Sequence, residues 1–230
     1  AAIPEFLHGL DRHIGRDICD QVLRGVRSGD ASHPGLRHRS AMRVHNETYW
    51  RQWTPPERPQ PADEEKLALL GRLLEVLPKA KRALDIGCGD GRASLLVARR
   101  AHALLGFDLS PQALSSARNR FDEQGQRNAN FAEGGIEALR LGQKFHLITC
   151  LDLFAHIADD NAYLAALDQL PHLCRHECFL VTCDTVSDGQ EQLHQHADAH
   201  FTRWRQIDQY RQALVSRGFM CVESLVIHED

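Results

Sequence analysis

The sequence lacks any apolar run near the roughly 20 residues that a membrane helix needs, and no signal-peptide pattern opens it. It lacks a dominant charge as well. Its 27 Lys and Arg against 31 Asp and Glu leave a net charge of −4, with a pI near 6.4. No overall field therefore draws the chain to nucleic acid. No internal repeat is visible. The expectation is a cytoplasmic protein without a membrane span, and 230 residues suffice for one large core.

A disulfide framework is absent too. The seven cysteines are odd in number, and Cys88, Cys150, Cys178, Cys183 and Cys221 fall in or beside predicted strands of a chain that is neither small nor loop-rich. Cys174, His176 and Cys178 would share one face by strand alternation, without the tetrahedral arrangement that zinc requires, so no metal is expected there. The first residue is Ala, and the last predicted strand stops almost at the C-terminus. Both features suggest a processed chain, or part of a larger chain or complex.

What is present divides near residue 62. Residues 1–62 form an N-terminal helical and irregular extension. Ile14, Ile18, Val22 and Val26 recur at helical spacing, and an irregular stretch rich in Arg, His and Pro follows, ending TPPERPQPAD. Prolines 55, 56, 59 and 61 make that end an extended linker. Residues 63–230 alternate between two periods. Helices are predicted over 63–77, 91–101, 111–125, 160–174 and 206–218, with Asp63 as N-cap of the first. Strands are predicted over 82–86, 103–109, 129–134, 145–151, 178–186 and 219–227. Such alternation means an α/β fold, a doubly wound and largely parallel sheet with helices on both faces.

In such sheets ligands bind beyond the carboxyl ends of the strands. The turn after the first strand, ALDIGCGDGRAS (83–94), carries glycines at 87, 89 and 91. A dinucleotide loop would space them G-x-G-x-x-G, and a mononucleotide loop would add Lys-Ser or Lys-Thr; this turn does neither. Asp85 and Asp90 flank it. Beside a pyrophosphate each close like-charge pair would cost roughly 4 kcal/mol at an effective dielectric of 20. The turn suits a cationic nucleoside without phosphates.

ALDIGCGDG resembles the first motif of the class I S-adenosylmethionine-dependent methyltransferases, and the likeness extends over about residues 63–227. The resemblance implies S-adenosyl-L-methionine as cofactor and a Rossmann-like fold. Gly87, Cys88 and Gly89 would line the amino-acid tail, and Asp85 would hold its ammonium. GFDLS (106–110) resembles the second motif, which implies Asp108 on the ribose hydroxyls and Leu109 beside adenine. Where the family carries a third-motif acid this chain has Gly135. Adenine recognition then falls to the backbone of Gly135 and Ile136, or to Glu137. The family usually closes its sheet with two strands after the last helix; only FMCVESLVI is evident here.

The segment FHLITCLDLFAHI (145–157) resembles the strand and turn beside the transferred methyl. It implies that Cys150 and Leu151 line the cofactor. Asp152 and His156 lie four apart and would share a face if the segment turned helical. Each is a candidate catalytic base, packing being the other reading of His156. Acceptor identity lies in two added segments. AMRVHNETYWRQWTPPERP (41–59) would lid the cofactor, with Tyr49 on it and Trp53 at the acceptor, one of Trp50 and Trp53 serving as packing. Residues 24–58 hold seven arginines against three acids, a face for an anionic acceptor or a solvated surface. DGQEQLHQHADAHFTRWRQ (188–206), an irregular insertion, would set His200 and Trp204 at the acceptor; on any helix His196 and His200 would lie four apart with Trp204 one turn further. His194, His196 and His200 lack a carboxylate partner at ligand spacing except Asp198, which would face away, so metal is again disfavoured.

The resulting expectation is methyl transfer to an O or N atom of a small or carrier-linked, possibly anionic metabolite. An RNA methyltransferase is disfavoured by the acidic balance and by the absence of an N-P-P-Y or Cys-pair motif. A catalytically silent cofactor-binding domain of a larger assembly is the second alternative. An NAD oxidoreductase conflicts with the glycine spacing and with Asp85.

Overall fold

The computed structural model describes residues 34–56, 61–187, 189–197 and 200–222. The predicted helix around residues 14–26 lies outside them, and so does the part of the predicted last strand beyond residue 222. Helix α1 (Pro34–Gln52) and helix α2 (Pro61–Val76) precede an alternating series. It runs β1 (Ala80–Ile86), α3 (Arg92–Arg99), β2 (Ala101–Asp108), α4 (Pro111–Glu123), β3 (Ala129–Glu133), β4 (Phe145–Leu151), α5 (Asp160–Leu173) and β5 (Cys174–Cys183). A hairpin of β6 (Gln192–Gln195) and β7 (Phe201–Trp204) leads to α6 (Ile207–Val215).

The sheet order is β3-β2-β1-β4-β5, with every pairing parallel. The order reverses between β1 and β4, so a crevice opens at their carboxyl ends. The strands read as near-continuous apolar runs because both faces are covered. On one face Leu70, Leu74, Val97 and Phe121, from α2, α3 and α4, close over Ala83 and Leu104. On the other, Tyr163, Leu167 and Leu170 of α5 and Tyr210 of α6 pack on Leu84, Ile86 and Ile148. Ser110 caps α4, its Oγ accepting from the Ala113 N–H at 3.0 Å, and Asp159 caps α5 in the same way.

Five elements differ from the sequence expectation. The Arg- and His-rich stretch expected to be irregular is helical over 34–52. Its inward residues Met42, Asn46, Tyr49, Trp50 and Trp53 do fall at helical spacing, but the central one is polar. Helix α2 starts at Pro61, so Asp63 lies in its first turn and is not its cap. The insertion expected to be irregular forms an antiparallel hairpin that pairs Gln192 with Trp204 and Gln195 with Phe201. Cys174 and Phe179 oppose Phe145 and Leu147, so extra residues loop out where Glu177 takes φ 61°, and alternation fails across 174–178. Residues 219–222 belong to no strand.

Candidate active site

The glycine turn delivers the first wall. Gly87, Gly89 and Gly91 take φ values of 73°, 53° and 80°, a left-handed region that side chains disfavour. At Gly91 a Cβ would also stand 2.9 Å from the Cβ of Ala117 on α4. Of the two flanking acids, Asp90 is neutralised by Arg92 at 3.0 Å and Arg120 at 2.8 Å. Asp85 is 1% exposed, and only hydroxyls meet it: Ser94 Oγ donates at 2.5 Å and Thr149 Oγ1 at 2.6 Å. Burial pushes its carboxyl upward and the two hydroxyls pull it back. Asp85 therefore remains the uncompensated acid beneath the turn.

Asp108, at the end of β2, accepts from the Gly89 N–H and the Ser110 N–H, each at 2.9 Å. These bonds fix its carboxylate at the rim while each oxygen keeps a lone pair for a further donor. Burial pushes this carboxyl upward too. Leu109, Gly134, Gly135 and Ile136 line the crevice beside it. The Glu137 carboxylate lies over Gly135, 3.1 Å from where a Cβ would stand. Arg43 reaches Glu137 at 3.4 Å and Arg51 pairs with Glu133, so α1 is tied across the ends of the strands.

The second wall follows β4. Leu151 lines the crevice, whereas Cys150 is fully buried in the core. Asp152 takes a left-handed φ of 50° and its carboxylate is held by Lys66 Nζ at 3.0 and 3.1 Å. A short 3-10 turn, Phe154–His156, comes next. Three separate elements hold its backbone. Asp184 accepts from Ala155 N–H at 2.9 Å. Arg205, stacked 3.6 Å from the Tyr163 ring centre, donates to the carbonyls of Phe154 at 3.2 Å and Ile157 at 3.0 Å. Asn46 Nδ2 donates to the His156 carbonyl at 2.9 Å and to that of Phe201 at 2.8 Å, while its Oδ1 accepts from Phe201 N–H.

The product of that clamp is the placement of the His156 ring. Burial, followed by the nearby His200, His196 and Lys66, pushes the imidazole down to about 4, so it is neutral at pH 7. Trp50 stands edge-on to it with ring centres 4.4 Å apart. Tyr49 stacks on His200 at 4.3 Å and His200 on His196 at 4.1 Å. His196 and His200 thus meet across the hairpin, not along a helix. Trp53 and Trp204 line the crevice, Trp204 against His194 at 4.0 Å.

The structure therefore brings Gly87, Cys88, Gly89, Asp108, Leu109, Gly135, Ile136, Leu151, Asp152 and His156 to one crevice, with Asp85 buried and outside its lining. Tyr49 and His200 sit behind Trp50 as packing partners. Lys66, Asn46, Asp184 and Arg205 carry no motif; only Asn46, on the helical line of inward residues in α1, had a sequence signal. Left-handed glycines, a buried acid and a rim carboxylate, with the Arg side chains at the loop already spent on Asp90, fit a cationic nucleoside.

Comparison with known proteins agrees. The family described as "Methyltransferase domain" matches residues 83–177. A ubiquinone biosynthesis O-methyltransferase of Coxiella burnetii is 35% identical over 86 residues, 37% of this chain and 36% of that protein. Its namesake in Nitrosospira multiformis is 30% identical over 128 residues, 54% and 53% of the two chains. The alignments thus span about half or less of these curated relatives. Among solved structures, the 1,6-didemethyltoxoflavin-N1-methyltransferase of Burkholderia thailandensis, with its acceptor and S-adenosylhomocysteine bound, superposes with TM-score 0.64 at 18% identity, covering 86% and 85% of the chains. The N-methyltransferase NodS of Bradyrhizobium japonicum with S-adenosylhomocysteine gives 0.57 at 17%, covering 76% and 85%. Residues 83–177 of this chain thus match a methyltransferase domain, and the parallel sheet around them has the fold of the class I S-adenosylmethionine-dependent methyltransferases.

Proposed function

We propose that this chain methylates a hydroxyl oxygen of a small planar metabolite, with residues 1–62 as lid and 63–230 as catalytic domain. The observation that carries the reading is a neutral, clamped imidazole, His156, walled by Trp50 at one end of a crevice whose other end is the glycine turn. The names of the two curated relatives above, both ubiquinone biosynthesis O-methyltransferases, support oxygen as the acceptor atom.

Bound S-adenosylmethionine supplies an electrophilic methyl on its sulfonium. The residues of this chain bind, orient and take a proton. Asp85 provides negative charge beneath the amino-acid tail. Asp108 offers its free lone pairs to the two ribose hydroxyls. The backbone of Gly135 and Ile136, with Glu137 above, meets the adenine edge. Trp53 and Trp204 flank the acceptor and exclude water. His156, neutral at pH 7, accepts the hydroxyl proton. Asp152 is the weaker base in this reading, since its carboxylate is tied to Lys66.

Calorimetry with S-adenosylhomocysteine and a labelled-methyl assay on a panel of phenols and matched anilines test the reading. Methyl transfer to phenols supports it, and transfer confined to amines refutes the oxygen assignment. No helix among the described residues is long and apolar enough to cross a membrane.

A further inference from the structure

Two ring nitrogens in the site have no hydrogen-bond partner among the described residues although both are buried: Trp50 Nε1 and His156 Nδ1. Leaving a buried donor or acceptor unmade costs about 1–3 kcal/mol, and here two such atoms belong to rings whose centres are 4.4 Å apart. Both side chains line the crevice. Asp184, Arg205 and Asn46 hold the backbone of the turn that carries His156, and Trp50 and His200 pack against its ring.

The chemistry of the two nitrogens specifies what completes them. An indole N–H donates only. A neutral imidazole nitrogen facing a hydroxyl accepts. We propose that Trp50 Nε1–H and His156 Nδ1 bind one and the same acceptor hydroxyl, Trp50 donating to its oxygen and His156 accepting its proton. This inference rests on the function proposed above and adds Trp50 to it as a catalytic residue.

The pair also selects oxygen over nitrogen. A hydroxyl oxygen has two lone pairs, one for the indole N–H and one to attack the methyl. An amine has a single lone pair, and an N–H donor upon it blocks attack. As reaction proceeds the oxygen lone pair forms the new O–CH3 bond, the methyl–sulfur bond breaks with its electrons left on sulfur, and the hydroxyl proton passes to His156 Nδ1. Trp50 favours the ionised oxygen that remains once the proton has left, and so raises the fraction of acceptor ready to attack.

The test uses 4-nitrocatechol, whose visible absorbance reports ionisation of its hydroxyl, in the presence of S-adenosylhomocysteine. Wild-type protein is expected to bind it with the hydroxyl ionising at a pH below that of the free compound. Trp50→Phe, which keeps an aromatic ring and removes the N–H, is expected to weaken that shift about tenfold in ionisation constant while S-adenosylhomocysteine binds as before. In turnover its rate on phenols below their ionisation pH falls with the ionised fraction, by about tenfold. An unchanged spectral shift in Trp50→Phe overturns the proposal, as does a wild-type protein that methylates phenols yet shifts nothing. If Trp50→Phe fails to bind S-adenosylhomocysteine, His156→Phe takes its place and must abolish the same shift; a retained shift overturns the proposal. Wild-type protein that binds S-adenosylhomocysteine but methylates only amines removes the oxygen reading itself, a result distinct from these.

Discussion

Two buried groups set opposing pH dependences on the stability of this fold, and separating them tests the account of the active-site turn. His156 titrates at 6.5 when unfolded and near 4 when folded, because burial penalises the imidazolium. Between those pH values the unfolded chain holds a proton that the folded chain does not. The stability due to a neutral His156 is therefore present above pH 6.5 and lost as pH falls towards 4, by roughly 3 kcal/mol. Asp184 does the reverse. Burial, with Asp152 adding to it, raises its carboxyl from 3.8 to about 7 against the pull of Ala155, Tyr210 and Phe154. Here the folded chain holds the extra proton, so stability is greatest below pH 4 and falls, by on the order of 4 kcal/mol, as pH rises to 7. Both figures are upper limits, since each side chain keeps some contact with solvent. The wild-type protein should accordingly show a flat stability profile between pH 4 and 7. Urea denaturation across that range should uncover a downward slope with rising pH in His156→Phe and an upward slope in Asp184→Asn. At pH 7 His156→Phe should also be stabilised by about 1–3 kcal/mol, since its unpartnered Nδ1 is gone, while its activity on hydroxyl acceptors is lost. The same flat profile in both variants as in wild type would refute the reasoning.

Asp108→Ala removes the acceptor for the ribose hydroxyls and leaves Gly89 N–H unpaired; S-adenosylhomocysteine affinity measured by calorimetry should fall about 10- to 100-fold. Asn46→Ala deletes three hydrogen bonds that join α1, the His156 turn and the hairpin. Stability should drop by about 2–3 kcal/mol in urea, and kcat should fall further than S-adenosylhomocysteine affinity. Gly91→Ala must take φ 80° with its Cβ 2.9 Å from Ala117; a loss of at least about 1–2 kcal/mol is expected by thermal denaturation, together with weakened cofactor binding.

The local elements were legible where one residue's environment repeats along the chain. Strand β4 was read at its observed bounds of 145–151 and α4 began at Pro111 as expected, because apolar runs and the Pro-first signal are written within a few residues. Helix α1 was misread because its inward line includes Asn46, a polar side chain buried to 5% exposure that apolar periodicity does not count. The hairpin was read as irregular because strands of only four residues each offer little alternation to detect. Strand β5 was shortened at its start because its bulge interrupts alternation.

The glycine turn showed the same division. Its spacing and flanking acids indicated a cationic nucleoside, but the charges alone did not separate Asp85 from Asp90; only the motif resemblance did. Only the fold sends Arg92 and Arg120 to Asp90 and leaves Asp85 with two hydroxyls.

By itself the sequence determined the doubly wound sheet, the cofactor loop and the rim acid Asp108, since each follows from short-range periodicity or from spacing within one strand-loop unit. The tertiary structure alone decided how the reaction end of the crevice is built. Lys66 meets Asp152 across 86 positions and Asn46 meets Phe201 across 155. Contacts between single polar residues so far apart leave no period in the chain, and only the closing of α1 and the hairpin over the strand ends brings them together.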